Sequence, residues 1–83
     1  MKIHFRKKAV RQFKKLEAKN RVRILKKLEW FSNQSDPLFF AEPISEAEVG
    51  QYRFRIGDYR VVFDIKENII IVLDVGHRRE IYR

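Results

Sequence analysis

Eighty-three residues make one small domain, able to bury only about 60–65% of the surface its unfolded chain exposes. With no cysteine it has neither disulfides nor a thiolate metal site, and its longest apolar run, Ile69 to Leu73, is far too short to cross a bilayer. The net charge of +8 is concentrated: residues 1–33 carry twelve Lys and Arg against two Glu, whereas residues 34–83 carry seven against nine acidic residues. A 45% hydrophobic share argues for a folded chain rather than a basic tail. Met1-Lys2-Ile3-His4-Phe5 leads straight into charges without a signal-peptide apolar stretch, so a cytoplasmic location is expected. Positive charge gathered in one segment favours a polyanionic partner, most simply nucleic acid; the alternative is lysines that only solvate amphipathic helices.

Lys2–Phe5 alternates and reads as a first strand, with His4 near the surface. From Arg6 to Ala18, Ala9, Val10, Phe13 and Leu16 recur at helical spacing, which turns Lys7, Lys8, Arg11, Lys14 and Lys15 outward. A break near Lys19-Asn20 leads to a second helical pattern, Ile24, Leu25, Leu28 and Phe31, ending around Asn33 and carrying Arg23, Lys26 and Lys27. The two segments predict an antiparallel helical hairpin with one apolar and one cationic face, Trp30 packing at the margin. Ser35-Asp36-Pro37 is a stop-and-restart signal, Asp36 suited to capping and proline to a first helical position, followed by one turn through Phe39-Phe40. Asp36 to Glu48 holds four acidic residues and no basic one, and reads as a connector; the capping-box spacing of Ser45 and Glu48 is common by chance.

Gln51–Ile56 and Tyr59–Ile65 alternate as strands around a two-residue Gly57-Asp58 turn. That turn pairs Ile56 with Tyr59, Arg55 with Arg60 and Phe54 with Val61. Two arginines then face each other across the ladder with Arg53 beside them, although like charges in cross-strand pairs destabilise a sheet. Guanidinium groups kept together at such a cost point to an anionic ligand. Lys66-Glu67-Asn68 turns the chain into Ile69–Gly76, whose helix-facing side is expected to be Ile69, Ile71, Leu73 and Val75. With a three-residue loop, Asp64 pairs with Ile70, Val62 with Val72 and Arg60 with Asp74. Arg53, Arg55, Arg60, Asp74 and Arg78 would then share the face away from the helices, Asp74 being open to a simple neutralising pair with Arg60. The fold class is α+β: an N-terminal strand and basic helical hairpin on one face of a small, mainly antiparallel sheet.

Guanidinium is permanently charged and grips phosphate through two parallel hydrogen bonds, so Arg53, Arg55 and Arg60 suit a backbone phosphate and its pentacoordinate transition state. They are poor proton carriers. Acid–base candidates lie at the C-terminus. Histidine, here His77, is the side chain most suited to moving protons near neutrality. Tyr82 could act as a base only if cations such as Arg78, Arg79 and Arg83 lowered its pKa from about 10. The plain alternatives are a strand end for His77 and an unengaged terminal residue for Tyr82. No spacing resembles a zinc, P-loop or Ser-His-Asp arrangement, and no metal or cofactor is expected.

The basic helical hairpin, followed by Tyr52-Arg53-Phe54-Arg55-Ile56-Gly57-Asp58-Tyr59-Arg60-Val61-Val62-Phe63 and Gly76-His77-Arg78-Arg79-Glu80-Ile81-Tyr82, resembles the RelE/ParE superfamily of type II toxin–antitoxin toxins, in its RelE-like branch. The resemblance implies a ribosome-dependent, metal-independent messenger-RNA endonuclease that cuts A-site codons, the 2′-hydroxyl attacking phosphorus and expelling the 5′-oxygen. It places Arg53 and Arg55 where RelE-like nucleases keep two lysines, and matches Arg60, Arg78 and Tyr82 to family positions; His77 falls where members vary among basic residues. Arginine for lysine at 53 and 55 keeps charge but removes a tunable pKa. Several relatives continue into a further C-terminal helix, whereas this sequence stops one residue past Tyr82. The implied partners are an acidic RelB-like antitoxin, the 70S ribosome and messenger RNA, with operator DNA a target of the toxin–antitoxin complex. Lys7, Lys8, Arg11, Lys14, Lys15, Arg23, Lys26 and Lys27 would meet ribosome or RNA. The competing readings are a ParE-like inhibitor of DNA gyrase, which shares the fold without nuclease chemistry, and a plain nucleic-acid-binding module.

Overall fold

The computed structural model describes residues 1–46 and 48–81. Its elements are β1 (Lys2–Phe5), α1 (Lys7–Lys14), α2 (Ala18–Ser32), a 3-10 turn (Pro37–Phe40), β2 (Glu42–Pro43), β3 (Tyr52–Ile56), β4 (Tyr59–Lys66), β5 (Ile69–His77) and α3 (Arg78–Ile81). They build a five-stranded sheet in the order β1-β5-β4-β3-β2, antiparallel except for the parallel β1–β5 pair. The α+β class with an N-terminal strand and a mainly antiparallel sheet is as the sequence predicts.

The helices divide three residues earlier than their periodicity suggests. After Lys14 the chain closes on short-range bonds, Lys15 N–H to Gln12 O at 3.2 Å and Leu16 N–H to Phe13 O at 3.1 Å. Glu17 is extended (φ −61°, ψ 148°) and starts α2, its carbonyl accepting from Asn20 and Arg21 N–H. Arg21 also donates to the Leu16 carbonyl, which ties the junction. Neither helix has a side-chain N-cap bond, so packing must hold them. Ala9 from α1 and Ile24, Leu28 and Phe31 from α2 are buried, whereas Leu25, one residue off that stripe, is 41% exposed. Phe31 stacks on Phe54 (4.1 Å between ring centroids) and Phe54 on Phe63 (4.3 Å), which fastens α2 to β3 and β4.

The acidic connector holds two structural surprises. Asp36 makes no side-chain cap bond to the 3-10 turn it precedes. Glu42-Pro43 forms the edge strand β2, opposite Arg53 and Tyr52; proline fits there because an edge strand can spare an N–H. Among the described residues no helix starts at Ser45, so its spacing with Glu48 is not a capping box.

The β3–β4 hairpin has the expected register, Arg55 opposite Arg60 and Phe54 opposite Val61. Gly57 takes φ 60° in its two-residue turn, a conformation that suits glycine. The β4–β5 connection differs. Its loop is two residues, Glu67 (φ 51°) and Asn68 (φ 64°), the pattern of a type I′ turn, and Lys66 belongs to the ladder opposite Ile69. Shortening the loop by one residue inverts the start of β5, so Ile70 and Val72 enter the core rather than Ile69 and Ile71. An irregularity between Val62 and Phe63 then shifts the pairing and restores Val75 to the helix side.

Candidate functional site

Arg53 and Arg55 stand two apart on β3, and Arg60 on β4 directly opposite Arg55, so all three leave the sheet on the side away from α2. Their surroundings differ sharply. The Arg55 side chain is 62% exposed and that of Arg53 27%. Arg60 is only 4% exposed, contrary to the open position expected for it. Its Nη1 donates to the carbonyls of Gly57 (2.8 Å) and Tyr59 (2.9 Å), so it braces the hairpin turn from beneath. Part of the cover comes from α3: its Ile81 and Glu80 lie beside Gly76, the ladder partner of Arg60. The desolvation of a guanidinium is offset here by carbonyls fixed in a tight turn.

Asp74 is not the partner of Arg60. The shorter loop and the irregularity in β4 set Asp74 opposite Val62 and Gly76 opposite Arg60. Asp74 is drawn instead to α1, accepting from Gln12 Nε2 at 2.5 Å and Lys8 Nζ at 3.3 Å, while Gln12 Oε1 accepts from the Val75 N–H at 2.9 Å. This group ties α1 to the part of β5 beyond the end of β1. The carboxylate that does meet the arginines is Glu42 on β2, with Oε1 3.5 Å from Arg53 Nε and 3.4 Å from Arg55 Nε. Sequence reasoning missed it because the two-residue strand that carries it has no periodicity to detect.

Of the two proposed acid–base residues, His77 lies on the opposite face from the arginines. His77 pairs with Tyr59, and their rings meet edge to face at 5.7 Å; the Tyr59 hydroxyl accepts from Asn20 Nδ2 of α2, which puts both rings on the helix side of the sheet. His77 Nδ1 accepts from the Arg79 N–H at 3.2 Å. Arg78 begins α3, its N–H donating to the Asp58 carbonyl at 2.7 Å and its Nε 3.8 Å from an Asp58 carboxylate oxygen, so it lies by the hairpin turn. Tyr82 lies outside the described residues. Lys7, Lys8, Arg11, Lys14, Lys15, Arg23, Lys26 and Lys27 are all exposed, as a cationic surface requires. Among the described residues there is no cluster of potential metal ligands, and no helix is long and apolar enough to cross a membrane.

This architecture and sequence have relatives. The sequence model of the "ParE toxin of type II toxin-antitoxin system, parDE" matches residues 3–82. Among solved structures the chain is similar to one in the RelB–RelE antitoxin–toxin complex from Methanococcus jannaschii, at 27% identity and a TM-score of 0.72 over 95% of this chain and 94% of that one. It is similar to one in the RelBE2 toxin–antitoxin complex from Mycobacterium tuberculosis, at 27% identity and a TM-score of 0.68 over 93% and 90%. Likeness to the intact E. coli RelBE complex (18% identity, TM-score 0.72, 92% and 94% covered) speaks to fold alone. No curated protein sequence matches the chain. With a family model spanning nearly its whole length and RelE chains sharing its fold, the protein belongs to the RelE/ParE superfamily of type II toxin–antitoxin toxins.

Proposed function

We propose that the chain is a ribosome-dependent messenger-RNA endonuclease that blocks translation in the cytoplasm. The observation that carries this reading is the guanidinium cluster of Arg53, Arg55 and Arg60 on one sheet face, with Arg55 directly opposite Arg60. Like charges in that register oppose sheet formation; turn carbonyls take up the Arg60 guanidinium, and an RNA phosphate gives Arg53 and Arg55 a use. In this reading Arg53 and Arg55 hold the scissile phosphate, with Arg78 reaching it from the hairpin turn. The buried Arg60 acts one step back, as a positioning residue that fixes the turn between them.

The reaction is an in-line displacement: the 2′-oxygen bonds to phosphorus, the 5′-oxygen leaves, and a 2′,3′-cyclic phosphate and a 5′-hydroxyl result. Added negative charge on the phosphoryl oxygens is stabilised by the guanidiniums. On the strength of family resemblance, the attacking hydroxyl gives its proton to Tyr82 as the phenolate, and the leaving 5′-oxygen takes a proton from solvent water. The placement of His77 beside Tyr59 disfavours it as that acceptor in this conformation. An acidic RelB-like antitoxin is the expected neutralising partner, since the similar chains come from toxin–antitoxin complexes, and such a complex would bind operator DNA. The exposed lysines and arginines of α1 and α2 serve the 70S ribosome and its message.

The match to the ParE model favours a second reading, inhibition of DNA gyrase without cleavage. Primer extension on a message translated by purified ribosomes, run beside a gyrase supercoiling assay, separates them. Codon-phased 5′ ends support the nuclease; lost supercoiling with an intact message supports the inhibitor.

A further inference from the structure

A second feature lies around the edge of β3 from the arginine pair. Arg23, Lys26, Lys27 and Trp30 of α2 and Arg55 and Ile56 of β3 line a cleft of about 410 Å³, within the roughly 300–1,000 Å³ typical of small-ligand sites. No acidic side chain lines it among the described residues. Four cations thus line a cleft with one indole, and that indole is 45% exposed although it is the chain's single tryptophan. Packing accounts for only part of it: the ring meets Phe31 and Phe40 edge to face, while the Lys27 ammonium lies 4.6 Å from its centroid. The Arg23 guanidinium is held against Gly57 in the hairpin turn, where a Cβ would come within 2.6 Å of it. Arg55 lines this cleft and also meets Glu42, so the cleft and the arginine face share a wall.

We infer that this cleft is a nucleotide subsite, in which one unpaired base stacks on Trp30 and its flanking phosphate is held by Arg23, Lys26 and Arg55. The inference rests on the reading of RNA as substrate and adds where a neighbouring nucleotide goes. An exposed aromatic ring beside a cationic track is the arrangement that binds single strands without reading sequence, because every base has a π-face. Lys27 occupies the indole only through an exposed cation–π contact, so a base displaces it and the ammonium turns to phosphate. Concentrated cations with no counter-charge in the lining fit a continuous polyanion better than an amphipathic peptide, which needs apolar walls for its anchors. A strand leaving the cleft past Arg55 arrives at Arg53, so consecutive phosphates are engaged on the two sides of one residue.

The test is titration of the full-length protein, off the ribosome, with a 2′-O-methylated hexanucleotide that cannot supply the attacking hydroxyl. Tryptophan emission should quench on binding. Trp30→Ala, followed by anisotropy of a labelled oligomer, should weaken affinity roughly 5- to 150-fold, the range for one stacked base. Lys26→Gln, at an exposed position, should lower the slope of log affinity against log salt by about 0.7. Unchanged emission at saturating oligomer, or a folded Trp30→Ala protein binding within twofold of wild type, overturns the inference. Tighter binding of a Leu/Glu-rich peptide than of the oligomer also overturns it, in favour of a protein-docking surface. Because no cleavage is measured, a chain without nuclease activity can still pass, and an active nuclease can still fail.

Discussion

Arg60→Ala separates the structural account most cleanly from intuition based on sequence. Seen only as one of two opposed arginines, Arg60 should cost nothing to remove, since its loss relieves repulsion with Arg55. The structure reverses that sign. Its side chain is buried and donates to the Gly57 and Tyr59 carbonyls. Hydrogen bonds from a charged donor contribute about 1.5–3 kcal/mol. Both bonds leave from one nitrogen, so about 3–4 kcal/mol is a reasonable gross loss, from which relief of the Arg55 contact returns up to ~1 kcal/mol. A net loss of about 2–3 kcal/mol should lower Tm by roughly 10–20 °C in a domain of this size. Thermal melts followed by far-UV circular dichroism measure this directly. Arg55→Ala is the control: that side chain is 62% exposed, and its removal should leave stability within about 0.5 kcal/mol. An Arg60→Ala Tm within about 3 °C of wild type, or above it, would refute the bracing role.

Four further outcomes are expected. Glu42→Gln should strengthen binding of single-stranded RNA roughly two- to five-fold, the equivalent of one exposed ion pair, because the carboxylate no longer competes for Arg53 and Arg55; oligomer titration at fixed salt checks it. Gly50→Ala should destabilise the fold by about 1–3 kcal/mol in denaturant titration, since φ is 152° there and a Cβ would stand 2.6 Å from Val62 Cγ1. Reversing Lys14, Lys15, Lys26 and Lys27 to Glu should sharply reduce ribosome affinity and flatten its salt dependence in co-sedimentation assays, as fewer counterions are released. Tyr82→Phe should slow single-turnover cleavage on ribosomes by about 10²–10⁴ if the Tyr82 phenolate oxygen accepts the proton, and near-normal cleavage would remove it from the mechanism.

What could be read from the sequence followed the strength of local signals. Gly57-Asp58 between alternating strands set the β3–β4 register in full, because a two-residue turn leaves one pairing and each face has its own residue type. The β4–β5 register was one residue out. Glu67 and Asn68 both reach the left-handed region, which their residue types permit without announcing. A run of Ile69, Ile70, Ile71 and Val72 has no alternation to correct the error. The candidate site divided in the same way. The arginines followed from the hairpin register, but the burial of Arg60 depends on α3 and on carbonyls brought together by the turn. Glu42 depends on a strand two residues long, and the cleft around Trp30 on the docking of α2 beside β3. These are tertiary contacts with no counterpart in residue spacing.

The central claim is that the arginine face acts on messenger RNA during translation. Inducing the protein and mapping transcript 5′ ends, with translation running and with initiation blocked, tests it most directly. New 5′ ends should appear in phase with codons within translated frames and disappear when ribosomes no longer load. Transcripts that stay intact under active translation, while gyrase loses its supercoiling activity, would contradict the claim.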